Sequence, residues 1–130
     1  MPILGIDLGA TKLAIALFTE AGKLVSREVV PLANRKSSAV AELINSQVEK
    51  YLSRAAIESI GISVPGISRR ATGTVWAPNI EGWEDYPLLQ EIKTLVNEIP
   101  VAIDNDRACS ILGEQWQGNA IASKDAIFLA

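Results

Sequence analysis

Histidine is absent from this sequence, and cysteine occurs once, at Cys109. One thiol cannot build an intrachain disulfide framework, and with no imidazole and one thiol no zinc site is expected in this chain. No Lys/Arg-rich run occurs and the net charge is −3, so the electrostatic footprint of a nucleic-acid partner is missing. No stretch reaches the roughly 20 apolar residues of a membrane span, and none has a signal-peptide pattern. The cytoplasm is therefore the expected location, with no membrane partner. Internal repeats and low-complexity segments are lacking, as is the G-x-x-x-x-G-K-[ST] phosphate loop.

What is present suits one ordinary globular domain. The 130 residues are 48% apolar and 21% charged, enough to bury a proper core. Residues 2–8, 11–19 and 23–31 read as three strands of an antiparallel meander, with Gly22 free to take the left-handed conformation in the second turn. Ser37 and Ser38 are expected to cap a helix running to about Arg54, because Val40, Leu43, Ile44, Val48 and Leu52 follow the helical period. Ser59–Val64 is a buried strand stopped by Pro65-Gly66. Residues 67–85 read as loop, with one extended piece at 72–77. A second helix starts near Pro87 and is ended by Pro100; Val101–Ile103 is a further strand. A third helix is expected from about Asn105 to Gly118. Residues 124–130 read as a strand just beginning, which suggests the first lobe of a longer protein. The order predicts an α/β fold: a mixed five-stranded sheet with helices on both faces, in the ribonuclease-H-like, actin-like arrangement.

The chemistry concentrates in a few segments. In Ile6-Asp7-Leu8-Gly9-Ala10-Thr11-Lys12 a strand ends in a carboxylate and turns through a glycine, a hydroxyl and a lysine. Gly9 is expected to supply a positive φ, the turn's N–H groups to face anionic oxygens, and Asp7 to hold Mg²⁺ through water. The same residues also suit a solvated hairpin tip. Asp104-Asn105-Asp106 stands at another strand end, where α/β sheets bind ligands, although all three residues equally suit helix capping. If the first and fourth strands are neighbours, Asp7 and Asp106 face one crevice, one serving metal and phosphate and the other accepting a proton. Asn79, beside Pro78, can both donate to and accept from a sugar hydroxyl, with Trp83 as a pocket wall; an ordinary turn with a packed tryptophan is the other reading. Pro65-Gly66 either lets a ligand approach the main chain or is simply a turn. Arg69 and Arg70 read as a solvated pair, Cys109 as a small buried hydrophobe, and Trp116 as a core or lobe contact.

Taken in order, these segments resemble the amino-terminal lobe of the ROK family of sugar kinases and repressors. Residues 6–12 are similar to its D-[IL]-G-G-T-K loop, with Ala10 in place of the second glycine. Gly61–Gly66 resembles the strand whose closing P-G borders the sugar, and Ala77–Trp83 the family's P-N-[LI]-x-G-W. Ile103–Asp106 resembles [VI]-[ED]-N-D, and Leu112-Gly113-Glu114 continues that helix as the family does. The resemblance implies ATP and Mg²⁺ as cofactors, with Asp7, Gly9, Ala10, Thr11 and Lys12 at the phosphates. It implies Asp106 as catalytic base, also touching the sugar, and Gly66, Asn79 and Asn105 as sugar contacts. The substrate implied is a hexose or N-acetylhexosamine, phosphorylated at O6. Residues 1–130 would be one lobe of two, inactive alone, and the whole protein would be open to homodimer formation. The family's histidine-and-cysteine zinc cluster would belong to the second lobe. Arg107-Ala108 departs from the family's Ala-Asn, which puts an arginine beside the base.

Other readings carry weight of their own. A ROK-type repressor would use the same lobe to sense sugar, but repressors carry a helix-turn-helix segment before the loop that here starts at residue 3. A ribonuclease-H-like nuclease with paired aspartates and two metals is disfavoured by the lack of a basic surface and by Thr11-Lys12. A degenerate lobe that only binds or assembles sits poorly with Asp7, Asn79, Asn105 and Asp106 all being present.

Overall fold

A computed structural model of the protein describes residues 1–117. Strands β1 (Ile3–Leu8), β2 (Lys12–Phe18) and β3 (Leu24–Pro31) form the expected antiparallel meander. Helix α1 (Ser38–Leu52) leads to β4 (Ser59–Val64), which lies parallel to β1. A small separate hairpin follows, β5 (Ile67–Arg69) with β6 (Thr74–Trp76). Helix α2 (Leu88–Val96), β7 (Val101–Asn105) and α3 (Asp106–Gln117) complete the described chain. The main sheet has the order β3-β2-β1-β4-β7, so the mixed five-stranded sheet is as expected. The expected strand at 124–130 and the end of the third helix at Gly118 lie outside the described residues.

The period-two pattern explains which face is which. Leu4, Ile6 and Leu8 of β1 stand in register with Ile60 and Ile62 of β4 and with Leu13 and Ile15 of β2. All are buried, in one cluster with Val40, Ile44 and Val48 of α1 and Leu88 and Ile92 of α2. Fully burying a side chain of this kind contributes roughly 1.5–3 kcal/mol, so this face is the core. The opposite face carries small residues in register, Gly5 beside Ala16 and Gly61, and Gly61 beside Ala102. Helix α3 lies on this second side, where Trp116 meets Phe18 edge to face at 6.3 Å. Helices therefore flank both faces.

Three local expectations are corrected. Ser37 does not cap α1 with its side chain. It holds φ 49° because distant residues engage its main chain: its N–H donates to the Glu81 carbonyl at 2.7 Å, and its carbonyl accepts from Trp83 Nε1 at 3.0 Å. Helix α2 ends at Val96, where Asn97 turns to φ 53°, four residues before Pro100. Residues 67–69 are a strand, β5, too short to display a period in sequence.

Candidate functional site

The carboxyl ends of β1, β4 and β7 lie side by side. The register sets Asp7 opposite Ser63 and Ser63 opposite Asp104, so three polar residues form one row across the small-residue face. At about 4.8 Å per strand, Asp7 and Asp104 are roughly 10 Å apart along that row. Asp106 opens α3 two residues later. All three carboxylates act on one neighbour, the half-buried Cys109. Its thiol is pushed up first by burial and then by the negative charges of Asp104, Asp7 and Asp106, while a hydrogen bond with Ser63 works the other way. Two acidic residues about a hundred positions apart thus border one region. Asp7, Ser63, Asp104 and Cys109 also line an open cavity of about 1040 Å³ over the small-residue face. Asp106 is not among its lining residues and stands exposed beside it.

The β1–β2 turn presents donors outward. Gly9 N–H is taken by the Lys12 carbonyl at 2.9 Å. The exposed tip residues Ala10 and Thr11 leave their N–H groups without acceptors among the described residues, and exposed Lys12 forms no ion pair there. Gly9 does not take the expected positive φ. Its requirement is steric: a Cβ would lie 3.1 Å from the Lys12 carbonyl oxygen. Among the described residues no three acidic, thiol or imidazole groups converge on an ion position. The exposed strand-end carboxylate of Asp7 could supply one ligand to a Mg²⁺ whose other ligands were phosphate and water.

The sugar-side candidates are differently placed. Asn105 Oδ1 accepts the Ala108 N–H at 2.7 Å, so it caps α3 while its amide NH₂ stays available to donate. Capping and binding are thus compatible at this residue. Gly66 has φ 87°, and the space of its missing Cβ is filled by the Trp76 carbonyl, 2.1 Å from where that carbon would be. Glycine is needed there to seat the end of the hairpin, Trp76 and Ala77, against the turn that follows β4. Asn79 is exposed, and no residue of the described chain holds its amide. Trp83 is not a pocket wall: it is buried at 1% exposure, stacked on Tyr86 with centroids 4.6 Å apart. Trp116, by contrast, is half exposed at the edge of the cavity.

The arginines are exposed, as expected, but each also has a partner: Arg69 pairs with Asp85 at 3.4 Å and Arg70 with Asp104 at 3.3 Å, and both line the cavity. Arg107 forms no ion pair with Asp106 among the described residues. Cys109 is half-buried among carboxylates, not part of the core. Ser63 escaped sequence reasoning, although the alternation Ser59, Gly61, Ser63 against Ile60, Ile62, Val64 signals its face. Ser68 and Arg70 gave no comparable signal.

The mixed five-stranded sheet in the order β3-β2-β1-β4-β7, with helices on both faces, has the actin-like ATPase fold. The chain matches the ROK family over residues 3–130 and belongs to it. It is 29% identical over 132 residues to a glucokinase of Halalkalibacterium halodurans (96% of this chain, 39% of that protein). It is 33% identical over 135 residues to a xylose repressor of Caldicellulosiruptor bescii (98% and 33%). Among solved structures it resembles the ROK hexokinase of Thermus thermophilus, with TM-score 0.83 and 31% identity, covering 94% of this chain and 41% of that one. A Streptomyces griseus ROK glucokinase in complex with glucose and AMPPNP gives TM-score 0.79 and 27% identity, covering 91% and 37%. The chain thus spans about two fifths of the length of the glucokinase and the hexokinase. No described helix is long and apolar enough to cross a membrane.

Proposed function

We propose that this chain is the amino-terminal lobe of a two-lobed, cytoplasmic, ATP-dependent sugar kinase, which phosphorylates a hexose or N-acetylhexosamine hydroxyl and is incomplete as one lobe. The observation that carries the reading is the grouping of Asp7, the Ala10–Thr11 tip and Asp106 at one end of the sheet. A kinase needs a phosphate cradle and a proton acceptor within reach of each other; a sugar sensor needs only the sugar contacts.

In this reading the amide NH₂ of Asn105 donates to one sugar hydroxyl, Asn79 grips another, and the turn at Gly66 borders the ring. Asp106 accepts the proton of the attacking hydroxyl as its oxygen bonds to the γ-phosphorus and the bond to the bridging oxygen of ATP breaks, releasing ADP. A positioned base of this kind is worth roughly 10²–10⁴-fold in rate, with positioning supplying most of the remainder. The turn formed by Gly9, Ala10 and Thr11 offers N–H donors to the phosphates, and Lys12 a point charge. Mg²⁺, when bound to the nucleotide and held through water by Asp7, would neutralise charge developing on the phosphate oxygens.

The similarity to a xylose repressor supports sugar sensing as a second reading, and one assay separates the two. The whole protein is screened for phosphoryl transfer from Mg-ATP to a hexose panel, beside Asp106→Asn. Turnover with at least one sugar is expected, abolished in the variant while sugar affinity stays within about tenfold. Sugar binding without transfer would favour the sensor, and near-normal turnover in the variant would remove Asp106 from the chemistry.

A further inference from the structure

Strand β7 carries Asn105 at its end, and Asp106 directly after it, yet among the described residues it is an edge strand with β4 as its one neighbour in the sheet. An edge strand has unpaired main-chain groups and less to hold its position. Here the β5–β6 hairpin occupies the open side. Ser68 Oγ donates to the Ile103 carbonyl at 3.2 Å. Arg70 Nη2 donates to Asp104 Oδ2 at 3.3 Å. The other oxygen of that carboxylate accepts the Asn105 N–H at 2.8 Å, and Asn105 Oδ1 in turn accepts the Ala108 N–H at 2.7 Å. An unbroken series of hydrogen bonds therefore runs from the hairpin to the first turn of α3.

We propose that Arg70 is a positioning residue: acting through Asp104, it fixes the Asn105–Asp106 corner against sugar and phosphate. The inference rests on the kinase reading. Arg70 itself is 84% exposed, so its pair adds little to global stability. Its value lies in orientation, and in offsetting a carboxylate that shares a row with Asp7 and stands close to an incoming polyphosphate. Asp104 cannot leave the corner, because it is built into β7 and holds the Asn105 N–H. Unpaired, it would leave one more negative charge in the row that holds Asp7, in a cavity whose other lining cations are Arg27 and Arg69.

The test uses the whole protein and compares Arg70→Gln, Arg70→Lys, Asp104→Asn, the Arg70→Gln/Asp104→Asn double variant and Asp106→Asn. Arg70→Gln is expected to lower kcat about tenfold, with sugar KM within about threefold and Tm unchanged. Arg70→Lys should recover most of the loss, since it still reaches the carboxylate. The double variant should be no slower than Arg70→Gln alone, because the two residues act as one unit. Wild-type kcat in Arg70→Gln would overturn the proposal, as would multiplying losses in the double variant, or a kcat loss that only tracks a fall in Tm. An inactive Asp106→Asn beside an unaffected Arg70→Gln would reject the positioning role alone; near-normal turnover in Asp106→Asn would remove Asp106 from the chemistry and this inference with it, and a wild type that binds sugar without transferring phosphoryl would reject the kinase reading.

Discussion

Gly66 sits where a side chain meets two separate obstacles. Its φ of 87° is in the left-handed region, and a Cβ would come within 2.1 Å of the Trp76 carbonyl oxygen. Backbone cannot yield as the tip of a flexible side chain can. Gly66→Ala should therefore destabilise the protein by about 1–3 kcal/mol from conformation alone, with further loss from the clash; urea unfolding measures it. A stability within about 0.5 kcal/mol of wild type would mean that the hairpin does not seat here. Cys109 shows the same dependence on surroundings. By sequence it reads as a small hydrophobe, but its place beside Ser63 and three carboxylates follows from strand register, which no local pattern reveals. Of the two readings of Trp83 the packed one holds, and what decides it is remote in sequence: its indole N–H finds the Ser37 carbonyl, 46 positions away.

At the scale of elements, period and alternation carried most of the fold. Strands β1, β2 and β4 alternate large apolar residues with small or polar ones, and α1 and α2 keep an apolar stripe, so type and order were legible. The hairpin was less so, because β5 has three residues and its partner is reached across a turn. The tie between β3 and α1 was also invisible. Glu28 on the edge strand β3 accepts from Lys50 Nζ at 2.6 Å and Tyr51 OH at 2.8 Å, with Arg54 at 3.7 Å. These partners, Lys50 first, hold its carboxyl below the ordinary value of 4.5. A depressed carboxylate stabilises the folded state fully above its unfolded pKa, and the contribution is lost as pH falls through the lower folded value. Glu28→Gln should thus lower Tm at pH 7, with the gap to wild type closing in acid below that range. A gap independent of pH would assign the loss to packing instead.

At the scale of the molecule, the sheet brings together residues from positions 7 to 106 at one end, with the small-residue face and its cavity alongside. The β1–β2 turn, the strand-end carboxylates and Asn79 were all named from sequence because each sits at a break in a strong pattern. The grouping of the strand-end carboxylates required the parallel pairing of β1 with β4 and of β4 with β7. Arg70 and Ser68 escaped because their partners, Asp104 and Ile103, are more than thirty residues away. In the proposed kinase, such a lobe would contribute half of a cleft: one phosphate cradle, one base and part of a sugar site.

The most direct measurement is a crystal structure of the whole protein with Mg²⁺, a non-hydrolysable ATP analogue and the sugar it phosphorylates. The account predicts a sugar hydroxyl about 2.6–3.2 Å from the Asp106 carboxylate, with the terminal phosphate facing the N–H groups of Ala10 and Thr11. A sugar bound away from Asp106, or phosphates on a surface remote from that turn, would contradict it.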